Sequence, residues 1–510
     1  MVESFIELSE SDDFDGCFVM LRAGDDELPS GYRALDESLG GAISAALDRP
    51  ETSLKHGSVQ ALYSADGARR IWIGGLGDQG RRPLAALRDA MGRAVRAARG
   101  AKVERLAVRL LPALAEVADP AAIGQAAGEA AEMGAYRFNA MKGAVNESEE
   151  EPALAVSVEP ELREGFDRGL TLGRAANVTR ELSATPPNHA GPADIVQACL
   201  EMANEVGLDA DVIDADRAEE LGMGGLLAVG AAGSQPPALV CLEHLGGEED
   251  DPPVMLVGKA VTFDTGGYSI KSSKGMASMK YDKCGGMAVI GAMQAVACLG
   301  LKLNVIGLVP TAENMVGQTA YRPDDILRMY NGVTVEVTNT DAEGRLILAD
   351  ALSWGCGHYR PSHVIDLATL TGGVVVALGS DSAGLFATDT DFAATVTEAG
   401  EASGERVWSL PLWPEHRRLL KSEHADIVNS GGGRGAHAIQ GAAFLSHFVD
   451  RDGAFESWDQ LTTLPWAHLD IAGVATRDDE GGLCVKGPTG FGVRLVVETL
   501  NRLAADRAGN

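Results

Sequence analysis

The chain has 510 residues, 45% hydrophobic and 23% charged, and a formal net charge of −30 at pH 7. This composition is typical of a folded enzyme and excludes a disordered chain, and the length exceeds what one hydrophobic core usually supports. The charge disfavours nucleic acid and anionic membranes as partners, because their phosphates would be repelled. It indicates a solvated acidic surface, with adaptation to a salty environment as the alternative.

Cysteine usage and the first residues both predict a cytoplasmic protein. Seven cysteines are scattered along the chain without a Cys-x-x-Cys pair, which is typical of reduced, buried thiols. Residues 1–7 turn acidic at once and lack the basic and apolar regions of a signal peptide. No apolar run approaches the ~18 residues that a membrane-spanning helix needs, so we expect no membrane partner.

The first part of the chain alternates short apolar runs with alanine-rich stretches of helical spacing. The pattern predicts buried strands at 18–21, 59–63, 71–73 and 106–110, and helices at about 81–100 and 121–143. Such alternation predicts an α/β domain with a largely parallel sheet over residues 1–155. Its best boundary is the acidic segment 145–152, which ends in proline.

A second α/β domain is predicted over residues 191–510, joined to the first by a helix and linker at 156–190. The helix, at about 160–183, ends before Pro186 and Pro187. Beyond it the pattern predicts strands at 238–242, 254–258, 303–309, 333–337 and 364–368, and helices at 285–299 and 345–356. The predicted fold class is therefore α/β, with a smaller N-terminal domain and a larger C-terminal domain built on a central mixed sheet flanked by helices.

The most informative segment, residues 339–346, reads Asn-Thr-Asp-Ala-Glu-Gly-Arg-Leu. In an extended backbone, Asp341, Glu343 and Arg345 would point to the same side. Two carboxylates that are held close together repel each other unless a proton or a cation lies between them. The segment therefore predicts a cation site.

A second polar cluster follows the strand predicted at 254–258, where open α/β sheets place their ligands. Its members are Lys259, Asp264, Lys271 and Asp282. Together the two clusters offer four carboxylates, the oxygen ligands that two divalent ions need. A lysine ligand would require a neutral amine, and hence a strongly lowered pKa. From these residues alone a two-metal hydrolase and a structural acidic cluster are favoured about equally, because short motifs are weak signals.

Residues 257–267 and 339–346 resemble the signature of the leucyl (cytosol) aminopeptidases, the M17 metallopeptidase family. The similarity continues through 313–315, 366–373, 466–473 and 487–492. It thus covers nearly everything from about 165 to 500, in order and with family-like spacing. Residues before about 150 resemble only in general character the macro-like N-terminal domain of that family.

The resemblance implies a dinuclear-metal aminopeptidase that removes the N-terminal residue of peptides, with a preference for leucine and other apolar residues. A metal-bridging hydroxide would attack the scissile carbonyl. Two divalent ions per subunit, Mn²⁺ or Zn²⁺ with Mg²⁺ or Co²⁺ as alternatives, would bind to Lys259, Asp264, Asp282, Asp341 and Glu343. The family also implies peptide substrates with a free N-terminus and a homohexamer made of two trimers.

The remaining site residues take roles from the same resemblance. Lys271 would stabilise the negative oxygen of the tetrahedral intermediate. Arg345 would hold a bicarbonate that accepts a proton, because an arginine cannot itself act as a general base at neutral pH. The substrate's α-amino group would bind one metal ion. The pocket for its first side chain would be lined by Met279, Thr369, Leu370 and Gly372.

Two positions depart from the family pattern, and two other functions stay open. Lys283 follows Asp282 where the family usually has methionine, which leaves metal affinity and pocket shape there undecided, and Ala260 replaces a glycine. A regulatory or DNA-binding protein on the same scaffold is the alternative function, and the acidic charge disfavours it. Nucleotide or ADP-ribose binding by the N-terminal domain would depend on residues 74–77, which favour a plain turn. His468, in an apolar run, is predicted to be a buried histidine and not a metal ligand.

Overall fold

The computed structural model of the protein describes residues 5–11, 13–24, 27–77, 82–142, 153–433, 435–453, 455, 457 and 460–509. The chain forms two compact units, the first from Met1–Asn177 with Arg477–Gly487 and the second from Val178–Thr476 with Pro488–Asn510. The predicted boundary segment 145–152 lies outside the described residues, and the domain limits given above stay a prediction.

The first unit contains a six-stranded sheet. Its strands are β1 (Ile6–Leu8), β2 (Gly16–Leu21), β3 (Val59–Tyr63), β4 (Arg70–Gly75), β5 (Arg105–Arg109) and β6 (Leu154–Ser157). They lie in the order β1-β6-β5-β2-β4-β3, and every neighbouring pair is parallel except β3 with β4. All six residues of β2 are buried, which is typical of a central strand covered on both faces.

The helices of this unit include those that the two alanine-rich stretches predict, at 83–100 and 120–135, whereas the helices between residues 30 and 47 and at 111–114 are not predicted. In chain order the helices are α1 (Arg33–Ser38), α2 (Ala42–Leu47), α3 (Pro83–Gly100), α4 (Leu111–Leu114), α5 (Pro120–Ala135) and the start of α6 (Arg163–Ala184), with 3-10 helices at Ser30–Tyr32 and Pro160–Leu162. The predicted helix at 121–143 is too long. Tyr136 takes an extended conformation, φ −66° and ψ 137°, and ends α5 there.

Helices α5 and α6 approach each other closely through glycines. A Cβ on Gly128 would lie 2.1 Å from the carbonyl oxygen of Phe166, and one on Gly169 would lie 2.2 Å from that of Gln125. Because these neighbours are backbone atoms of rigid helices, they cannot move aside as a side chain can. The helix pair therefore depends on glycine at both positions.

Replacing Gly128 with alanine should force the two helices apart and lower the free energy of unfolding by about 1–3 kcal/mol, as overpacking usually does. Urea unfolding followed by circular dichroism measures the change. Gly100→Ala is the matched control, because no atom lies within 4 Å of a Cβ placed at that helix end. Equal unfolding midpoints for the two variants would show that the helix crossing has no tight contact.

The second unit contains most of the strands. They are β7 (Asp209–Ile213), β8 (Ala238–Leu245), β9 (Val254–Gly258), β10 (Ala260–Asp264), β11 (Asn304–Asn314), β12 (Ile326–Arg328), β13 (Thr334–Glu336), β14 (His363–Ala368), β15 (Ala383–Ala387), β16 (Val407–Ser409), β17 (Ile427–Val428), β18 (Trp466–Asp470), β19 (Thr476–Arg477) and β20 (Gly487–Pro488). Nine of them form a mixed sheet in the order β16-β15-β18-β14-β9-β11-β8-β7, with β10 added beside β11. Strands β12, β13 and β17 form a small sheet, and β19 pairs with β20.

The helices of the second unit alternate with the strands along the chain, as expected for an α/β fold. They are the end of α6, α7 (Pro192–Val206), α8 (Ala215–Leu221), α9 (Gly224–Gly230), α10 (Ser273–Met276), α11 (Cys284–Leu299), α12 (Gly344–Tyr359), α13 (Gly372–Leu378), α14 (Thr390–Ser403), α15 (His437–Leu445) and α16 (Val493–Gly509), with 3-10 helices at Met279–Tyr281 and Pro414–Leu420. Across the described residues, none of the helices has both the length and the apolar character that crossing a bilayer requires.

The centre of the nine-stranded sheet determines where the polar clusters lie. Strands β14, β9 and β11 run parallel to one another, so their carboxyl ends meet at one edge. The long strand β11 pairs first with β9 and then with β10, and Lys259 lies at the step between those two strands. The segments that follow β9, β10 and β14 therefore meet at this edge, as the sequence predicts for a ligand site.

Candidate metal centre

Backbone hydrogen bonds fix the two residues that begin the polar cluster. The N–H of Lys259 donates to the carbonyl oxygen of Leu367 in β14 over 3.0 Å, and the N–H of Gly286 in α11 donates to the Lys259 carbonyl over 2.7 Å. At the end of β10, Asp264 Oδ1 accepts from the N–H of Gly266 at 2.8 Å and from Asn314 Nδ2 at 2.7 Å. Both side chains are thus held on rigid strand ends.

Residues 339–346 do not form the extended segment that the sequence analysis expects. Asn339 Oδ1 accepts from the N–H of Asp341 at 3.0 Å, which makes a side-chain-closed turn. Glu343 then has helical dihedral angles, φ −80° and ψ −38°, directly before α12. Turn geometry, and not strand alternation, therefore brings the carboxylates together. The carboxylates lie close together as predicted, but the predicted reason, an extended backbone, is wrong.

The carboxylates converge around two lysines. One ligand oxygen each from Asp264, Asp341 and Glu343 lie within 4.8 Å of one another. Lys259 Nζ lies 2.8 Å from Glu343 Oε1 and 2.8 Å from Asp282. Lys271 Nζ lies 2.6 Å from Asp264 Oδ2 and also contacts Asp341 Oδ1. The sequence-predicted metal ligands therefore form one connected cluster, in which two positive charges face four negative ones.

Burial and mutual repulsion shift the pKa values of this cluster in different directions. Burial raises the pKa of Asp282 to about 8 and that of Asp264 to about 6, although lysines oppose both shifts. Burial would also raise the pKa of Glu343, but Lys259 and Lys271 outweigh it and hold the value at about 2. Burial would lower the pKa of Lys259, yet Asp282 and Glu343 raise it above its ordinary value. A neutral amine at Lys259 therefore needs cations that neutralise these carboxylates.

Arg345, in the first turn of α12, is a buried cation with a spare donor. Its Nη1 donates to the carbonyl oxygen of Asn429 over 2.7 Å, and its guanidinium lies 5.9 Å from the ring centre of Phe444. Its Nε has no hydrogen-bond partner within the described part of the chain. Burial lowers its pKa to about 10, so it stays charged at neutral pH. A buried, incompletely satisfied guanidinium is suited to bind an anion.

All eleven residues that the sequence analysis assigns to the site line one cavity of about 570 Å³. Sequence reasoning missed several further lining residues: Ser272, Gly275, Ser278, Tyr281, Val375, His437, Ala472, Ala475 and Thr476. His437 begins α15, directly after the glycine-rich segment 431–435. The position of that segment close to the start of a helix is the signal that could have identified His437. The apolar members had no signal, because such residues also fill ordinary cores.

Asp470 supports the loop that follows β14, and it lies in β18 with a buried histidine, His468. His468 Nδ1 lies 2.6 Å from Asp366 Oδ1, and both side chains are fully buried in adjacent strands, so His468 lies within the sheet as predicted. Asp470 Oδ1 accepts from the N–H of Leu370 at 3.1 Å, and its Oδ2 accepts from Thr371 Oγ1 at 2.7 Å. Asp470 therefore fixes the loop that forms one wall of the cavity.

Asp470→Ala should leave the donors of Leu370 and Thr371 buried without partners and so lower the free energy of unfolding by about 2–4 kcal/mol. Urea denaturation monitored by tryptophan fluorescence gives this difference. Asp479→Ala, at an exposed position, is the control and should change stability by less than about 0.5 kcal/mol. A destabilisation as small as that of the control would contradict the supporting role of Asp470.

Lys283, which follows Asp282 and departs from the family pattern, points away from the carboxylates. Its side chain is fully buried, and its Nζ donates to the carbonyl oxygens of Lys280 and Thr185 over 2.6 Å and 3.1 Å. Burial lowers its pKa to about 8. Lys283 therefore does not compete with Lys259 for Asp282.

Comparison with known proteins identifies the class and then the family. The family model described as "Cytosol aminopeptidase family, catalytic domain" matches residues 177–497, and the model for the N-terminal domain of the same family matches residues 16–144. A two-domain α/β protein with this catalytic domain is a peptidase, that is, a hydrolase. The chain belongs to the cytosol aminopeptidase family, as its sequence resemblance predicts.

Individual relatives agree with this assignment. The chain is 44% identical over 379 residues to a probable cytosol aminopeptidase of Chlorobaculum tepidum, over 72% of this chain and 73% of the relative. It is 40% identical over 474 residues to a probable cytosol aminopeptidase of Roseiflexus castenholzii, over 91% of this chain and 94% of the relative.

Solved structures show the same architecture. The bottromycin maturation enzyme BotP in complex with Mn has a TM-score of 0.83 and 34% identity, over 96% of this chain and 99% of that chain. A mutant of tomato leucine aminopeptidase has a TM-score of 0.83 and 30% identity, over 98% of this chain and 97% of that chain. The predicted two-domain α/β fold class is confirmed, and the carboxylate cluster together with the Mn-bound relative indicates divalent metal binding.

Proposed function

We propose that this protein is a dinuclear-metal aminopeptidase that hydrolyses the N-terminal residue from peptides, preferring leucine and other apolar residues. The observation that carries the proposal is the convergence of four carboxylates and two lysines on one cavity beside Arg345. Membership of the cytosol aminopeptidase family supports the reaction class. The roles of the individual residues and ions are part of this proposal.

The chemistry of the donor set fits two divalent ions. Asp264, Asp341 and Glu343 bring their oxygens within 4.8 Å of one another, and Asp282 joins them through Lys259. When all four carboxylates are ionised, their charge exceeds that of the two lysines by two, and bound cations would neutralise this excess. These hard oxygen donors suit Mn²⁺, Mg²⁺, Zn²⁺ or Co²⁺. Bound ions would supply a water of lowered pKa and polarise the scissile carbonyl.

The two cationic residues act on the substrate side of the cavity. Lys271 carries a pKa raised above its ordinary value by the surrounding carboxylates, against the opposing effect of burial, so its ammonium stays charged. It would stabilise the negative charge that develops on the carbonyl oxygen. Arg345 would hold a bicarbonate through its unsatisfied Nε, and the chemistry that this anion would supply is that of a proton acceptor.

The apolar part of the cavity would bind the first side chain of the peptide. Met279, Leu370 and Gly372 lie there with Thr369, whose Oγ1 also donates to Asp282 Oδ1 over 2.8 Å. As a neutral amine, the α-amino group would bind an ion held by the carboxylate cluster, which the nitrogen of a blocked terminus cannot do as well. This arrangement accounts for action at the N-terminus of a peptide and for apolar selectivity.

We also propose a cytoplasmic location and a homohexamer made of two trimers. The family resemblance supports both, and the relatives are named cytosol aminopeptidases. The net charge of −30 disfavours the alternative of a DNA-binding regulator, because DNA phosphates would be repelled.

The activity is tested with leucine amide and N-acetyl-leucine amide. Leucine amide should be hydrolysed and the acetylated compound should not, because acetylation removes the amine that the site recognises. Dialysis against a chelator should abolish the activity, and Mn²⁺ or Zn²⁺ should restore it. Release of ammonia is the measurement. Hydrolysis that resists the chelator would contradict the metal mechanism. Turnover of the acetylated compound would contradict the role of the amine.

Glu343→Gln should weaken metal binding and reduce kcat/KM at least about 100-fold, because it removes a charge at the centre of the cluster while keeping the shape. Metal content by mass spectrometry and leucine amide kinetics are measured together. Glu336→Gln, at a half-buried position that accepts from Ser422 Oγ, is the matched control. Full metal content and full activity in Glu343→Gln would refute the assignment.

A further inference from the structure

Lys283 is a buried cation whose contacts lie outside the carboxylate cluster. None of its side chain is exposed, and its ammonium is satisfied by two backbone carbonyls, those of Lys280 and Thr185. Removing an ammonium from water is costly unless such contacts replace its hydration. The Lys283 ammonium therefore depends on these two carbonyls, and it links the backbone segments that carry them.

The two carbonyls belong to different elements. Thr185 follows the last residue of α6, where the unsatisfied carbonyls carry the negative end of the helix dipole. Lys280 lies in the middle of the 3-10 turn Met279–Tyr281. Nζ of Lys280 itself donates to the Ala184 carbonyl over 2.6 Å, so the turn is joined to the same helix end a second time. Of the two lysines that form these links, Lys283 is the one whose side chain is fully buried.

The turn that Lys283 holds carries two site residues. It begins at Met279, a wall of the cavity, and leads directly into Asp282, which lies 2.8 Å from Lys259 Nζ. Its preceding residue, Ser278, has a left-handed φ of +78°, a conformation that a serine adopts only with support from its surroundings. An external link at Lys280 supplies such support.

We propose that Lys283 is a positioning residue that ties the turn 279–282 to the end of α6 and thereby sets the affinity of the metal position served by Asp282. This inference depends on the proposed two-metal function. Outer groups that orient metal ligands typically change metal affinity 10–100-fold when they are removed. The effect reaches the metal through the backbone of Asp282, and Lys283 touches neither substrate nor metal.

The test compares Lys283→Met with wild type by calorimetric titration of Mn²⁺ into the metal-free protein. Methionine has similar length but no donor. We expect two ions in wild type. In the variant one of the two ions, the one at the position that Asp282 serves, should lose about 10–100-fold in affinity, while the affinity of the other changes less than about threefold. Lys283→Arg, which keeps the charge and donors, should recover most of the loss. Lys302→Met, at an exposed lysine, controls for the change of net charge.

The outcomes separate the inference from the function on which it depends. Lys283→Met with two unchanged Mn²⁺ affinities overturns the inference. So does a variant in which both affinities fall alike together with the unfolding midpoint, because the residue is then merely structural. Failure of Lys283→Arg to recover affinity, when that variant unfolds at the wild-type midpoint, also overturns it. Wild-type protein that binds fewer than two ions instead contradicts the proposed function.

Discussion

Repulsion among four carboxylates, three of them buried and Asp341 half-buried, is the constraint on which the rest of this structure depends. Asp264, Asp282 and Glu343 are almost wholly buried, and burial alone would drive each of them toward the protonated form. Lys259 and Lys271 offset part of this cost by direct contacts. The cluster nevertheless keeps an excess of negative charge. A fold can maintain such a cluster only where rigid elements hold every member in place.

The rigid elements are the carboxyl ends of parallel strands in the nine-stranded sheet. Lys259 and Asp264 lie at the ends of β9 and β10, while the loop after β14 is held by Asp470. Asn314, the last residue of β11, donates to Asp264 and also to the Thr340 carbonyl, and so joins the two halves of the cluster. Asp264 is therefore positioned by a neighbour that has a structural hydrogen bond of its own, and such fixed neighbours preorganise a polar site.

The segment 339–346 shows how one short sequence serves several needs. Asn339 closes the turn, Glu343 ends it, and Arg345 occupies the first turn of the helix. Gly344 is required by packing, because a Cβ there would lie 2.3 Å from Lys259 Cε. The absence of that Cβ lets the lysine reach Glu343. The glycine is thus as much a part of the charge arrangement as the charged residues beside it.

Sequence patterns alone predict the two-domain α/β class, nine of the strands and five of the α-helices, and they name eleven residues that line the cavity. Apolar periodicity is a local property, and the motifs resemble those of a family. The predicted helix at 121–143 is longer than α5, because the alanine-rich spacing continues past Tyr136, where the backbone becomes extended. Tertiary contacts decide that residues 339–343 form a turn before α12, that His437 faces the cavity and that Lys283 points away from Asp282. Those features depend on contacts between residues far apart in the chain, such as Lys283 with Thr185, and no local pattern encodes them.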